Sequence, residues 1–245
     1  MSEIAIIIPS RLEAVRLPNK PLKLIDNKEM ILHVYDAAKK SDVGDVLIAT
    51  PDKKIVDLIQ NFGGKAILTA KDHQTGTDRV FEVFKNTLNS LPNIIVNLQG
   101  DMPNIEPKII KNLINYMQQG KCEVGTLASE LNSKFELEDE NIVKVSVKEK
   151  LKEGMFSEAL DFLRVNPGKD NKTYHHVGIY AFTSKALQKY VSLKRSKLEL
   201  NRKLEQLRAM ENGMSIHVGY INSSPLSVDT EKDLFRIKKL MERNE

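Results

Sequence analysis

Near its start the chain carries Ile4-Ala5-Ile6-Ile7-Ile8, an unbroken aliphatic run closed by Pro9. Such a run does not alternate with polar residues, so it predicts a strand buried on both faces, as in a parallel sheet. Residues 30–40 place apolar side chains at Ile31, Leu32, Val34, Tyr35, Ala37 and Ala38, the spacing of a helix with one buried stripe. Residues 46–49 read as a second strand, ended by Thr50-Pro51, and 53–62 as a helix that Gly63-Gly64 terminates in the left-handed region. A third strand at 66–68 follows, then a helix at 77–88 with Val80, Phe81, Val83 and Phe84 inward, and a fourth strand at 94–98. Strand and helix alternating in this way predict an open, mostly parallel α/β sheet flanked by helices.

After a helix at 107–116 the texture changes. Segments 125–130 and 142–147 read as strands without a crossover helix between them, 164–175 as a polar loop holding Pro167 and Gly168, and 176–182 as a strand. Residues 198–211 form a strongly helical segment ending at Gly213. The expectation is a single domain over 1–245 with a small antiparallel lobe inserted at roughly 130–185, and neither repeats nor low-complexity tracts occur.

Composition narrows the class without naming a chemistry. The 37 Lys plus Arg nearly balance 33 Asp plus Glu, and the residual +4 predicts little non-specific attraction to nucleic acid. Only 6% of residues are aromatic, Trp is absent and no basic stripe is concentrated, so no nucleic-acid partner is expected. The single Cys122 excludes an intramolecular disulfide and an all-Cys metal site. The Ile4 run is far short of a bilayer span, and acidic Glu3 stands where a signal peptide needs basic residues. A cytoplasmic protein with no membrane partner is the expectation.

Three segments carry candidate chemistry. Pro9-Ser10-Arg11 through Arg16-Leu17-Pro18-Asn19-Lys20 follows the first strand, where open α/β sheets bind ligands, and its three cations suit phosphates. Taken alone, it also reads as a solvated basic loop. No GxGxxG or GxxxxGK[ST] occurs, so neither a dinucleotide fingerprint nor a Walker loop is indicated. Gln99-Gly100-Asp101 closes the fourth strand; Asp101 could reach Mg²⁺, Gly100 could admit a ligand close to the backbone, and a plain turn fits equally. Asp229 and Thr230 are N-cap candidates for a last helix whose first turn holds Asp233.

These segments together resemble the sugar-acid cytidylyltransferase family, in particular its branch acting on 3-deoxy-manno-octulosonate (Kdo). Ile8-Pro9-Ser10-Arg11 with Arg16-Leu17-Pro18-Asn19-Lys20-Pro21-Leu22 is similar to the family's IPAR…RLPGKPL, and His73-Gln74-Thr75-Gly76-Thr77-Asp78-Arg79 to its HxSGT[ED]R. Val96 onward resembles VNxQGDEP, His176-Val177-Gly178-Ile179-Tyr180 resembles HLGIY, Leu204 onward LEQLR, and Val228 onward VDTPEDL. The resemblance implies a nucleotide-diphospho-sugar transferase (Rossmann-like) fold, CTP and a sugar acid as substrates, Mg²⁺ as cofactor and a homodimer formed through the inserted lobe. It implies that Arg11, Arg16 and Lys20 neutralise a triphosphate and that Asp101 and Asp229 hold the metal. Pro9, Ser10, Arg11, Lys20, Gln74, Gly76, Thr77, Arg79 and Asp101 would contact nucleotide. Gln99, His176, Tyr180, Glu205 and Gln206 would contact the sugar acid.

The chain departs from the pattern where the family reads YFSRAxIP. Met155-Phe156-Ser157-Glu158-Ala159 puts Glu158 in place of an arginine, and an acid facing the pocket would repel a carboxylate substrate. Asn19 replaces a glycine but tolerates the left-handed region. By pattern alone the His175-His176 pair reads as structural, Tyr180 as core, and Glu205 and Gln206 as surface residues of a helix. Apolar Ile142, Val143, Val145 and Val147 lend local support to a dimer.

Overall fold

The protein is described here from a computed structural model covering residues 3–87, 92–165, 168 and 172–242; Leu88 of the expected third helix and Pro167 of the expected loop lie outside the described residues. The chain forms two compact units, Met1–Lys111 with Pro225–Glu245, and Asn112–Ser224.

In the first unit β1 (Ile4–Pro9) leads through a long loop to a hairpin of β2 (Leu24–Ile25) and β3 (Lys28–Glu29). Then come α1 (Met30–Lys40), β4 (Asp45–Thr50), α2 (Lys53–Asn61), β5 (Ala66–Leu68), α3 (Gly76–Thr87), β6 (Ile94–Leu98) and α4 (Pro107–Met117), within which the chain passes to the second unit. The strands run parallel in the order β5-β4-β1-β6. Every residue of β1 is buried, the physical reason an unbroken aliphatic run serves as its central strand. Gly63 takes φ 78° after α2, the left-handed stop that the Gly-Gly pair predicts. The hairpin is absent from the sequence reading because its strands are two residues each; Asp26 and Asn27 both adopt positive φ, as a tight two-residue turn demands.

The second unit contains β7 (Val124–Ser129), α5 (Lys134–Glu138), β8 (Lys144–Val147), β9 (Phe156–Leu163), β10 (Thr173–Thr183), α6 (Ser184–Ser192), α7 (Lys197–Arg202), α8 (Leu207–Glu211) and β11 (Ile216–Tyr220). Its strands follow the order β10-β7-β11-β9-β8, and β8 pairs back onto β10, so the pairings close on themselves. All are antiparallel except β7 with β11. The closure explains why β10 starts at Thr173, inside the expected loop: Thr173 to His175 pair with β8 before the strand crosses to β7. Of the apolar run at 142–147, Val145 and Val147 are buried in the core, whereas Ile142 and Val143 are half-buried.

The expected helix at 198–211 is two helices. Lys203 adopts φ 54° between them, Leu204 and Leu207 are buried, and Glu205 and buried Gln206 lie in the intervening turn, Gln206 directly before α8. The break folds Arg208 back onto fully buried Glu199, which it meets twice, at 2.9 and 2.7 Å. From Pro225 the chain rejoins the first unit and ends in α9 (Glu231–Met241). There Thr230 and Asp233 form a reciprocal capping box, so Asp233 serves the helix end.

Candidate active site

The loop after β1 is held in place by one buried side chain. Leu17 packs into a cluster with Ile25, Met30, Val228, Leu234 and Ile237, which ties the loop to the approach of α9. Backbone bonds from Asn19 to Leu12 (3.1 Å) and from Lys20 to Leu17 (3.1 Å) tighten it, and Asn19 takes the left-handed conformation at φ 55°. A second tie runs between the end of β6 and the segment before α9. The Val228 amide donates to the Asp101 carbonyl at 2.9 Å, and the Leu226 amide to Asn104 Oδ1 at 2.9 Å. Two carboxylates distant in sequence are thereby brought together.

Lys20 Nζ lies between them, 3.0 Å from Asp101 Oδ2 and 3.0 Å from Asp229 Oδ1, while Arg16 reaches the other oxygen of Asp229 at 3.2 Å. Burial pulls the Lys20 pKa down, but the two carboxylates outweigh it and raise the pKa above the ordinary lysine value. The group opens on a cavity of about 340 Å³. Among its walls are Pro9 at the end of β1 with Ser10 and Arg11 after it, Gln74 before α3 and Gly76 at its start, Arg79, and Gln99 to Asp101 after β6. Ser10 Oγ, buried on this wall, has no hydrogen-bond partner among the described residues, so a bound molecule would satisfy it.

Not every expected nucleotide contact faces the cavity. Thr77 is buried, and its hydroxyl accepts from Asn97 Nδ2 at 3.0 Å; it supports the floor and lies outside the lining. Arg79 does border the cavity, and it is also buried, donating to the Ala70 carbonyl at 2.8 Å and the Lys71 carbonyl at 3.3 Å, so it clasps the chain leaving β5 as well. Burial and then the Arg11 charge lower its pKa. His73 and Glu82 pair across the same loop, and Glu82 also takes the Ala70 amide at 3.0 Å. Gly100 has a packing role: a Cβ there would stand 3.0 Å from Ile31 Cδ1 and 3.4 Å from the Pro9 carbonyl.

The remaining expected residues belong to the second unit. His176 is buried, bonds Thr126 Oγ1 through Nε2 at 3.0 Å and meets the Phe162 ring edge-on. Burial, then the charge of His175, pushes its pKa down to about 3, so it is neutral at physiological pH. Tyr180 packs 5.4 Å from the His176 ring, and burial, then the Glu205 charge, pushes its pKa well up. The turn bearing Glu205 is pinned by Tyr190, whose hydroxyl donates to the Glu205 carbonyl at 2.9 Å and whose ring underlies Arg208 at 4.7 Å.

Strand alternation decides where Glu158 points. Ala159 and Phe162 both stand opposite the buried face of β8, across a register shift, and Phe162 touches His176. Glu158 therefore projects to the other face, opposite His217 and 3.9 Å from Lys148. Phe156, on that same other face, stacks on Tyr116 at 3.5 Å. The charge reversal at this position does not confront His176.

Among the described residues, no group of three or more His, Cys, Asp or Glu side chains is suited to hold a metal, and no helix is long and apolar enough to cross a membrane. The sequence profile of the cytidylyltransferase family matches residues 5–216. The chain is 39% identical over 241 residues to a 3-deoxy-manno-octulosonate cytidylyltransferase of Bartonella henselae, covering 98% of each chain. It is 38% identical over 239 residues to the protein of that name from Paramagnetospirillum magneticum, covering 96% of each. Among solved structures it resembles a CMP:2-keto-3-deoxy-manno-octonic acid synthetase complexed with CTP, at 36% identity and a TM-score of 0.90 over the full length of both.

Proposed function

Because the chain belongs to the cytidylyltransferase family, we propose that it transfers CMP from CTP to Kdo and releases pyrophosphate, activating the sugar for lipopolysaccharide synthesis. The observation that carries this reading is the cavity shared by Arg11, Arg16 and Lys20 with the paired carboxylates of Asp101 and Asp229. The sugar's anomeric hydroxyl attacks the α-phosphorus while the bond to the β-phosphate breaks; pyrophosphate leaves with the electron pair, and the hydroxyl proton passes to solvent. No covalent intermediate is required, so the protein's task is to position the reactants and balance charge. Arg11, Arg16 and Lys20 face the triphosphate, and the Ser10 hydroxyl and the loop from Gln74 to Arg79 hold the nucleoside. Of the residues that the family resemblance assigns to the sugar acid, Gln99 lines this cavity.

Mg²⁺ suits the donor set, since it is commonly held by one or two carboxylates with phosphate oxygens and water completing its shell, which is what Asp101 and Asp229 offer. When bound, the ion neutralises phosphate charge and makes the attacking hydroxyl more acidic. We further propose a cytoplasmic homodimer; exposed Phe135, Leu160 and Leu200 of the second unit are the apolar surface that would support one.

Pyrophosphate release with CTP and a panel of sugar acids tests the reaction. Turnover with Kdo is expected; turnover with another acid and none with Kdo would overturn the substrate assignment. Glu158, the residue that favours a different acid, faces Lys148 and His217, which leaves that second reading without a structural argument.

A further inference from the structure

We propose that Lys20 is a resident counter-cation: its ammonium holds Asp101 and Asp229 together until a polyphosphate draws it away, so that the carboxylates become available to a divalent ion only once nucleotide is bound. This rests on the reading of the cavity as a metal-assisted nucleotide site and adds an order of events to it.

The geometry carries the inference. One nitrogen is 3.0 Å from each of two carboxylates, and both are less exposed than free surface acids, at 23% and 37% of the side chain. Two such anions without a cation between them would repel in a partly dehydrated setting. The backbone on both sides is fixed, because Leu17 and Val228 are fully buried in one cluster and Val228 is bonded to Asp101. The backbones that carry the two acids therefore stay close together.

Lys20 itself can move. Its main chain is tied at the start of a short turn, but its four-carbon stem is flexible, and its head already borders the cavity that Arg11 and Arg16 also line. A divalent ion arriving alone would have to expel the ammonium from between its two carboxylates without offering it a new anion. A triphosphate supplies that anion.

The test uses nucleotide-free enzyme and the metal alone. Titration calorimetry with Mg²⁺, and Mn²⁺ binding followed by electron paramagnetic resonance, compare the wild type with Lys20→Met and Lys20→Arg. The wild type is expected to bind either metal no tighter than about 1 mM, and Lys20→Met to bind at least about tenfold tighter. Lys20→Arg, which keeps the charge, returns to weak binding. In chelator, Lys20→Met melts below the wild type, and Mg²⁺ restores it by a larger shift. Equal metal affinity in wild type and Lys20→Met overturns the proposal, and so does tight Mn²⁺ binding by the nucleotide-free wild type, a measurement that needs no variant. If the same wild type still requires Mg²⁺ for turnover with CTP, only the order of events has failed and the proposed reaction stands.

Discussion

Asp101 accepts from Lys20 through its side chain and from Val228 through its backbone carbonyl, and the two roles separate cleanly. Asp101→Asn keeps the carbonyl and the side-chain volume while removing the charge. Turnover is expected to fall by about a hundredfold or more, with the circular dichroism spectrum unchanged; a variant of near wild-type kcat would remove Asp101 from the chemistry. At this scale the cluster of cations and carboxylates at the cavity is legible in sequence. Arg16, Lys20, Asp101 and Asp229 belong to short motifs whose spacing is kept, and all four meet. Legibility fails where a side chain's direction matters. Thr77 sits in the same kind of motif yet turns out of the cavity lining to bond Asn97, while Arg79 two positions on borders the cavity and also bonds the chain after β5, since a helix start turns successive side chains to different sides. The partnerless Ser10 hydroxyl is equally invisible beforehand, because burial without a partner is a property of the folded site.

In the first unit β1, β4 and β6 are legible because each is a short aliphatic run covered on both faces. In the second unit β9 and β11 escape notice: Phe156–Leu163 mixes Glu158 and Asp161 with apolar residues across a register shift, and Ile216–Tyr220 contains a histidine and a glycine. That glycine has a specific task. A Cβ on Gly219 would fall 2.3 Å from the Phe156 ring, and the ring cannot easily retreat because it lies stacked on Tyr116. Gly219→Ala is expected to cost about 1–3 kcal/mol of stability in urea denaturation, the range for overpacking, and a neutral result would mean the stack yields freely. The helix break at Lys203 is hidden for another reason: the leucine-rich run from Leu198 to Leu207 is satisfied by a kinked pair as well as by one helix, and the buried Glu199–Arg208 pair decides between them.

For the whole molecule, acid is the informative stress. Burial lowers the pKa of His175, His176 and His217, with His176 pushed down to about 3. A histidine whose folded pKa lies below its unfolded value of about 6.5 adds stability above pH 6.5, and that stability is lost as pH falls toward the folded value. Glu199 acts lower in the range: burial raises its pKa, the bonds from Arg208 and Arg195 outweigh burial, and its contribution fades only below the ordinary carboxylate value. The urea midpoint should therefore drop between pH 7.5 and pH 5 before carboxylates contribute, and His176→Gln should flatten that slope even if it lowers the midpoint at every pH. An unchanged slope in the variant would place the titration elsewhere. The span of the site has a different kind of consequence. Lys20 finds Asp229 across 209 positions, and Leu17 finds its packing partners in Val228, Leu234 and Ile237. During synthesis the loop after β1 leaves the ribosome early and waits, without its hydrophobic seat or one of its two anions, until nearly the last helix emerges. A chain released early, from a stalled ribosome or a premature stop, thus holds most of a sheet but no paired carboxylates, and cannot begin to spend nucleotide.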